Sequence, residues 1–223
     1  MPGLWLTQHP RCQLPEDPMI ACLESEEYRD WSRNFTGKLI RTFEIDGIIW
    51  DEPHSYFCHC PACKDDGIDS EIKAHQLFAA RLDELGKFAK QCRPDLTISC
   101  FVQPHDDLLL QALIPMQTID YLGADGHVRS SNHIMHRMKT TIFEAHQKYA
   151  PLLREAGKKS FFLLEAQRHR DEDLQNYLDN LNDAFTLSMD QLMYYYSAHE
   201  MSPANENKFN AATWKMVRSL KRK

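Results

Sequence analysis

Five short apolar runs, each followed by a segment of helical period, fix most of what this chain can become. The runs are GIIW (47–50), LTISCFV (96–102), IDYLG (119–123), SFFLLEA (160–166) and QLMYYYSA (191–198). Nearly continuous runs of this length suit strands covered on both faces of a parallel sheet. GLWLTQ (3–8) is a weaker sixth candidate at the start of the chain.

Between the runs, apolar residues recur at helical spacing. Tyr28, Trp31, Phe35 and Leu39 make one stripe, entered through Ser25, Glu26 and Glu27, residue types that cap and charge a helix start. Phe78, Leu82, Leu85 and Ala89 make a second, stopped by Pro94. A short helix is expected over Asp106 to Leu113. Ile134, Met138, Ile142, Ala145 and Tyr149 form the next stripe, then Leu174, Leu178, Leu181 and Phe185, and last Phe209, Thr213, Met216 and Leu220. Each stripe reads as core.

Repeated right-handed βα units give an open doubly wound sheet or a closed (β/α) barrel. No GxGxxG or GxxxxGK turn follows any run, which counts against a nucleotide-binding open sheet. Polar and ionisable residues do follow: Asp51 and Glu52, Gln103 and His105, Asp125 and His127, Glu165 and Gln167, Ser197 and His199. A barrel gathers strand ends at one mouth, where such enzymes build their sites. The expectation is one α/β domain over residues 1–223, a partial (β/α)8 barrel holding strands three to eight without strands one and two. A missing N-terminal segment or a partner, including a second copy of the chain, would complete it.

Counting back from the last helix makes GIIWDEP strand four and SFFLLEAQ strand seven. Glu52 then tips strand four and Glu165 strand seven, which face each other across a barrel mouth. Cleavage of a glycosidic bond needs two such carboxyl groups, one protonated to donate to the leaving oxygen and one ionised to attack or to activate water. A low-dielectric mouth and mutual repulsion raise one of the two pKa values. Strand alternation puts Glu52 on one face with Ile48 and Trp50, and Glu165 on one face with Phe161 and Leu163. The structural alternatives are a rim salt bridge for Glu52 and pairing of Glu165 with Arg168 or His169.

Charge and cysteine usage narrow the partners. The net charge is −6 and no basic stripe recurs, which argues against nucleic acid; the RSLKRK tail suits a solvated helix end. No run approaches the roughly 18 to 20 apolar residues of a membrane span, and the first residues lack the pattern of a signal peptide. Of seven cysteines, Cys58, Cys60 and Cys63 crowd into six positions. That points to thiolate metal binding in a reducing, cytoplasmic compartment. Zinc in a closed structural site takes four ligands, and the fourth candidates are Cys22, Cys12, His59 and His54. Cys92 and Cys100 read as a helix end and strand core.

The stretches ACLESEEYRDW (21–31), DGIIWDEP and CHCPAC resemble the central part of family 42 glycoside hydrolases, the β-galactosidase-type barrels, and related uncharacterised glycosyl-hydrolase-like domains. The resemblance runs over residues 20–64. It implies a carbohydrate substrate, Glu52 as acid/base and Glu165 as nucleophile of a retaining hydrolysis. It also implies a structural zinc on a CxCxxC loop after the acid/base residue, completed by a cysteine six residues before a Tyr-Arg pair. Cys22 stands so before Tyr28 and Arg29, giving the set Cys22, Cys58, Cys60 and Cys63, with Cys12 in reserve. The family usually has Asn before the acid/base residue, contacting the sugar's 2-hydroxyl; this chain has Asp51, which crowds a second charge against Glu52.

His54, Gln103, His105, Asp125, His127, Gln167 and His199 are candidates for hydroxyl contacts. Trp50, Tyr56, Tyr195 and Tyr196 are either sugar platforms or core. Two alternatives stand beside the glycosidase reading. One is a zinc-stapled barrel remnant that binds carbohydrate or a partner without catalysis. The other, a metal-dependent amidohydrolase using His105, His127 and His199, needs an HxH pair on strand one and an Asp at the tip of strand eight, and the sequence shows neither.

Overall fold

The structure, a computed structural model, describes residues 2–15, 17–53, 58–60, 63, 64, 67, 70–103, 106–126, 141–165, 174–195 and 215. Five parallel strands lie in one sheet in the order of the chain, β1 (Gly47–Asp51), β2 (Thr97–Val102), β3 (Tyr121–Gly126), β4 (Lys159–Glu165) and β5 (Gln191–Tyr195). A doubly wound sheet reverses its strand order at a switch point. Here each new strand adds on the same side, with helix between, as a barrel winds. The chain is an incomplete α/β barrel. Its coordinates divide into two compact units, Met1–Ser99 with Asp107–Asp120, and Cys100–Asp106 with Tyr121–Lys223.

The first unit opens on α1 (Pro2–Gln8), where the sequence suggests a sixth strand. A proline at the first helical position is preorganised for a helix, and the one-sided burial suits that period. Leu6 is buried while Leu4 stays exposed, and Trp5 stacks between His9 (3.9 Å) and Trp31 (5.0 Å). Trp31 belongs to α2 (Glu26–Thr42), which Ser25 caps by accepting from the Tyr28 amide. The expected aromatic stripe of α2 is only partly core: Phe35 is 48% exposed, and the residues that turn fully inward are Gly37 and Ile40. Trp5 takes over part of the covering that the stripe was expected to find in the sheet.

The inward face of α3 (Glu71–Cys92) is likewise built largely from small residues, with Ala74, Ala79 and Gly86 buried beside the predicted stripe and Ala89 buried within it. Close approach explains the choice. A Cβ at Gly86 would lie 3.2 Å from Trp50 Cη2 and 2.7 Å from Thr118 Cβ. Thr118 cannot retreat cheaply, because its amide (3.0 Å) and hydroxyl (2.8 Å) both donate to Asp83 Oδ1. The short α4 (Asp107–Leu113) packs on α3 and buries Leu109, Leu110 and Leu113.

In the second unit β3, β4 and β5 pair in register, Gly123 with Phe161 and Phe161 with Gln191. α5 (Ile142–Glu155) starts on a capping box, Thr141 and Glu144 satisfying each other's backbone amides, and buries Ile142, Ala145, Tyr149 and Leu153. Phe162 meets His146 of α5 (5.3 Å). Phe161 and Leu163, on the opposite face of β4, pack with Phe101, Tyr121 and Met193. After α6 (Leu174–Thr186), Asp190 fixes the start of β5 by accepting from the Ser160 amide (2.7 Å) and hydroxyl (3.0 Å). Ile134, Met138 and the last helical stripe lie outside the described residues, apart from the helical Lys215. Among the described residues no helix is long and apolar enough to cross a membrane.

Candidate functional site

Four thiols converge in the first unit. The Sγ atoms of Cys22, Cys58, Cys60 and Cys63 all lie within 4.8 Å of one another. From Cys22 the distances are 3.5 Å to Cys58, 3.6 Å to Cys60 and 3.7 Å to Cys63. A tetrahedron of thiolates at about 2.3 Å from a central zinc has edges of about 3.8 Å, so the donor set fits that ion in number, chemistry and spacing. None of the seven cysteines is in a disulfide.

Local structure explains how residues so far apart in sequence meet. The chain from Cys12 to Cys22 doubles back as a hairpin, with Leu14 N donating to Ile20 O (2.8 Å) and Cys22 N to Cys12 O (2.8 Å). It lays Leu14 and Ile20 over the thiols, leaving Cys22, Cys58 and Cys63 buried and Cys60 partly so. The Cys63 amide donates to Cys60 Sγ (3.5 Å). Burial, and then the Cys58 thiol, push Cys22 up to about 12; burial also raises Cys63. Cys60 goes the other way: burial raises it, but the Cys63 amide and the neighbouring thiols outweigh that and bring it below its ordinary value.

Cys12 is engaged elsewhere: its thiol accepts from Ser25 Oγ (3.1 Å) and donates to Glu27 Oε2 (3.5 Å). His59 is exposed and outside the group of four. Cys92 ends α3 and Cys100 is buried in β2.

The paired acids sit where β1 ends. Trp50 packs towards Gly86 of α3, so alternation puts Ile48 and Trp50 on the helix side and Gly47, Ile49 and Asp51 on the other, exposed side. Continued alternation would send Glu52 beneath α3 with Trp50, and the sequence argument from shared faces fails at that point. Glu52 instead has φ 39°, the one non-glycine in the left-handed region among the described residues, and the alternation breaks there. A bulky residue held in this region stores strain of order 1–3 kcal/mol, a feature that clusters at functional sites. Burial, then the charge of Glu52, raise the Asp51 carboxyl above its ordinary value.

The remaining expected residues are scattered. Glu165 ends β4, its backbone in register with Tyr195 of β5; the side chains of both lie outside the described set. Gln103 follows β2 directly, half-buried, and its carbonyl accepts from the Asp106 amide (3.0 Å). Asp125 lies inside β3 and is 2% exposed. Trp50, by its contact side, is packing between β1 and α3. His54, Tyr56, His105, His127, Gln167, Tyr196 and His199 lie outside the described residues. A cavity of about 480 Å³ opens between α3 and α4, lined by Ile72, Ala79, Leu108 and Met116 among others. It belongs to the helix layer, and its one acid, Asp83, is already held by Thr118 and Lys87.

Sequence reasoning missed the surroundings of Cys22. Glu24, two residues on, is buried (side chain 8% exposed) and receives Arg81 of α3 from 57 residues away, as well as Arg29. Nothing in sequence connects Arg81 to this turn, since α3's docking face had to be known first.

Fold and site together define a class: a segment of (β/α) barrel with a four-thiol centre directly after a strand that ends in two carboxylates. No family model matches the chain, and no curated protein does. Among the solved structures that are similar are two mannanases. The endo-beta-1,4-mannanase from Thermotoga petrophila has a TM-score of 0.49 and 10% identity, over 82% of this chain and 45% of that one. The hyperthermostable endo-1,4-beta-D-mannanase from Thermotoga petrophila RKU-1, with maltose and glycerol, has a TM-score of 0.46 and 12% identity, over 86% of this chain and 66% of that one. The chain thus spans about half to two thirds of the lengths of these enzymes.

Proposed function

We propose that the chain is a retaining glycoside hydrolase, with Glu52 as acid/base, Glu165 as nucleophile and a structural zinc on Cys22, Cys58, Cys60 and Cys63. The observation behind it is the left-handed Glu52, set between the end of β1 and the four-thiol centre. A strained acid at that place needs something to over-determine its backbone. A four-coordinate zinc pinning the following loop would do so. Four thiolates leave zinc no open position, so such an ion supports the fold and takes no part in the chemistry.

In the first step Glu52 gives its proton to the glycosidic oxygen while a carboxylate oxygen of Glu165 attacks the anomeric carbon. The bond to the leaving group breaks and a glycosyl ester on Glu165 forms. In the second step Glu52, now ionised, takes a proton from water, whose oxygen attacks the same carbon and releases Glu165. This chemistry calls for carboxyl groups about 5–5.5 Å apart. Asp51 is suited to accept from a sugar hydroxyl beside the reacting carbon.

Hydrolysis of a panel of nitrophenyl glycosides tests the proposal. Glu52→Gln and Glu165→Gln should each lower kcat/KM by about 10²–10⁴, the range for loss of a positioned proton donor or its partner. Full activity in either variant would remove that residue from the mechanism. Turnover of no glycoside by a folded, zinc-loaded chain would leave the non-catalytic carbohydrate-binding reading.

A further inference from the structure

The turn that carries Cys22 is locked from the helix layer. Arg81 of α3 places Nε and Nη2 on Glu24 Oε1 (3.0 and 2.8 Å) and Nη2 on Oε2 (2.9 Å). Its Nη1 also reaches the exposed Glu84 (2.9 Å). Arg29 of α2 adds a contact to Glu24 Oε2 (3.4 Å). Such a forked pair fixes direction as well as distance. Burying Glu24 this deeply is costly unless it is paired and hydrogen-bonded, and an exposed acid would hold α2 to α3 as well. The backbone ties the carboxylate to the centre, since Glu24 stands two residues after Cys22. Next to it the Ser25 N–H closes the turn onto Cys22 O (3.1 Å).

We infer that Arg81 and Glu24 are positioning residues of the thiol centre: their fork fixes the 22–25 turn and with it the place of the Cys22 sulfur. The inference rests on the proposed zinc site. A tetrahedral four-thiolate site holds its ion only while each sulfur keeps its place, and the 22–25 turn sets the place of Cys22. Outer-shell partners of this kind orient ligands, and losing one typically costs about 10–100-fold in metal affinity.

Zinc competition against a chromophoric chelator, with the whole chain, tests this. Arg81→Met leaves Glu24 buried with half its partners, so the decisive variant is the double Glu24→Gln/Arg81→Met, which removes both charges of the pair together. Arg81→Lys keeps a charge but loses the fork. The double variant should bind zinc about 10–100-fold more weakly, and Arg81→Lys should fall between it and wild type. With cobalt in place of zinc, the sulfur-to-metal charge-transfer band should shift in the double variant as Cys22 leaves its place. Lys90→Met breaks a comparable ion pair to Asp120 away from the centre and should leave both readouts unchanged. If the double variant keeps wild-type affinity and spectrum, or if Lys90→Met weakens binding equally, the fork is only a helix tie. If wild type binds no zinc, the metal site fails and the fork's role falls with it.

Discussion

Asp51 and Glu52 put two carboxyl groups on consecutive residues at a strand end, and the raised member is Asp51. Its protonated form is therefore favoured on folding. In the window between its unfolded value, about 3.9, and its raised folded value, the native state holds more protons, so stability falls as pH rises through that window. Asp51→Asn should raise the melting temperature slightly at pH 7 and not at pH 3, where Asp51 is neutral anyway; a thermal melt at both pH values checks it. The opposite pattern would mean the two acids do not repel. At the thiols the sign is set by deprotonation. Cys22, at about 12, must lose its proton to bind a cation, so apparent zinc affinity should climb roughly tenfold per pH unit for each thiol still protonated. A pH-independent affinity would contradict a thiolate centre. Of these residues, the CxCxxC thiols are legible from spacing alone. Cys22 over Cys12 needs the resemblance, because both lie on the same hairpin. The backbone of Glu52 is not legible at all, since alternation assumes the strand continues.

The elements were readable wherever period and length agreed. All five long apolar runs are strands, within a few residues at their ends, and the described helices between them overlap the stripes, with Ile134 and Met138 outside the described residues. The failures share one cause: a short or aromatic segment whose partner is not local. GLWLTQ is apolar enough for a strand and too short for period to decide; α1 forms because Trp5 has Trp31 to stack on. The α2 and α3 stripes mark mostly large residues, whereas the buried face of α3 relies on small ones, Ala74, Ala79, Gly86 and Ala89, that permit close approach. Gly86 makes that measurable. Gly86→Ala gains about 1 kcal/mol of helix propensity but drives a methyl into Thr118 and Trp50, an overpacking cost of about 1–3 kcal/mol. Because Thr118 is tied to Asp83, the clash should win, and the denaturant midpoint should fall with an unchanged m-value. A rise would mean α3 can slide away from β1.

At the scale of the molecule, chain-order winding of parallel strands gives the barrel class, and the placement of thiols after β1 gives the claim that matters most. The strand brings two acids to its end, and the proposed role of a zinc in the centre behind it is to hold the backbone that carries them. Elemental analysis of the purified chain tests this most directly. One zinc per chain is expected, lost in Cys22→Ser and Cys60→Ser and kept in Cys12→Ser and Cys100→Ser. A chain free of metal after purification and zinc challenge, or one that keeps its zinc in Cys22→Ser, would contradict it.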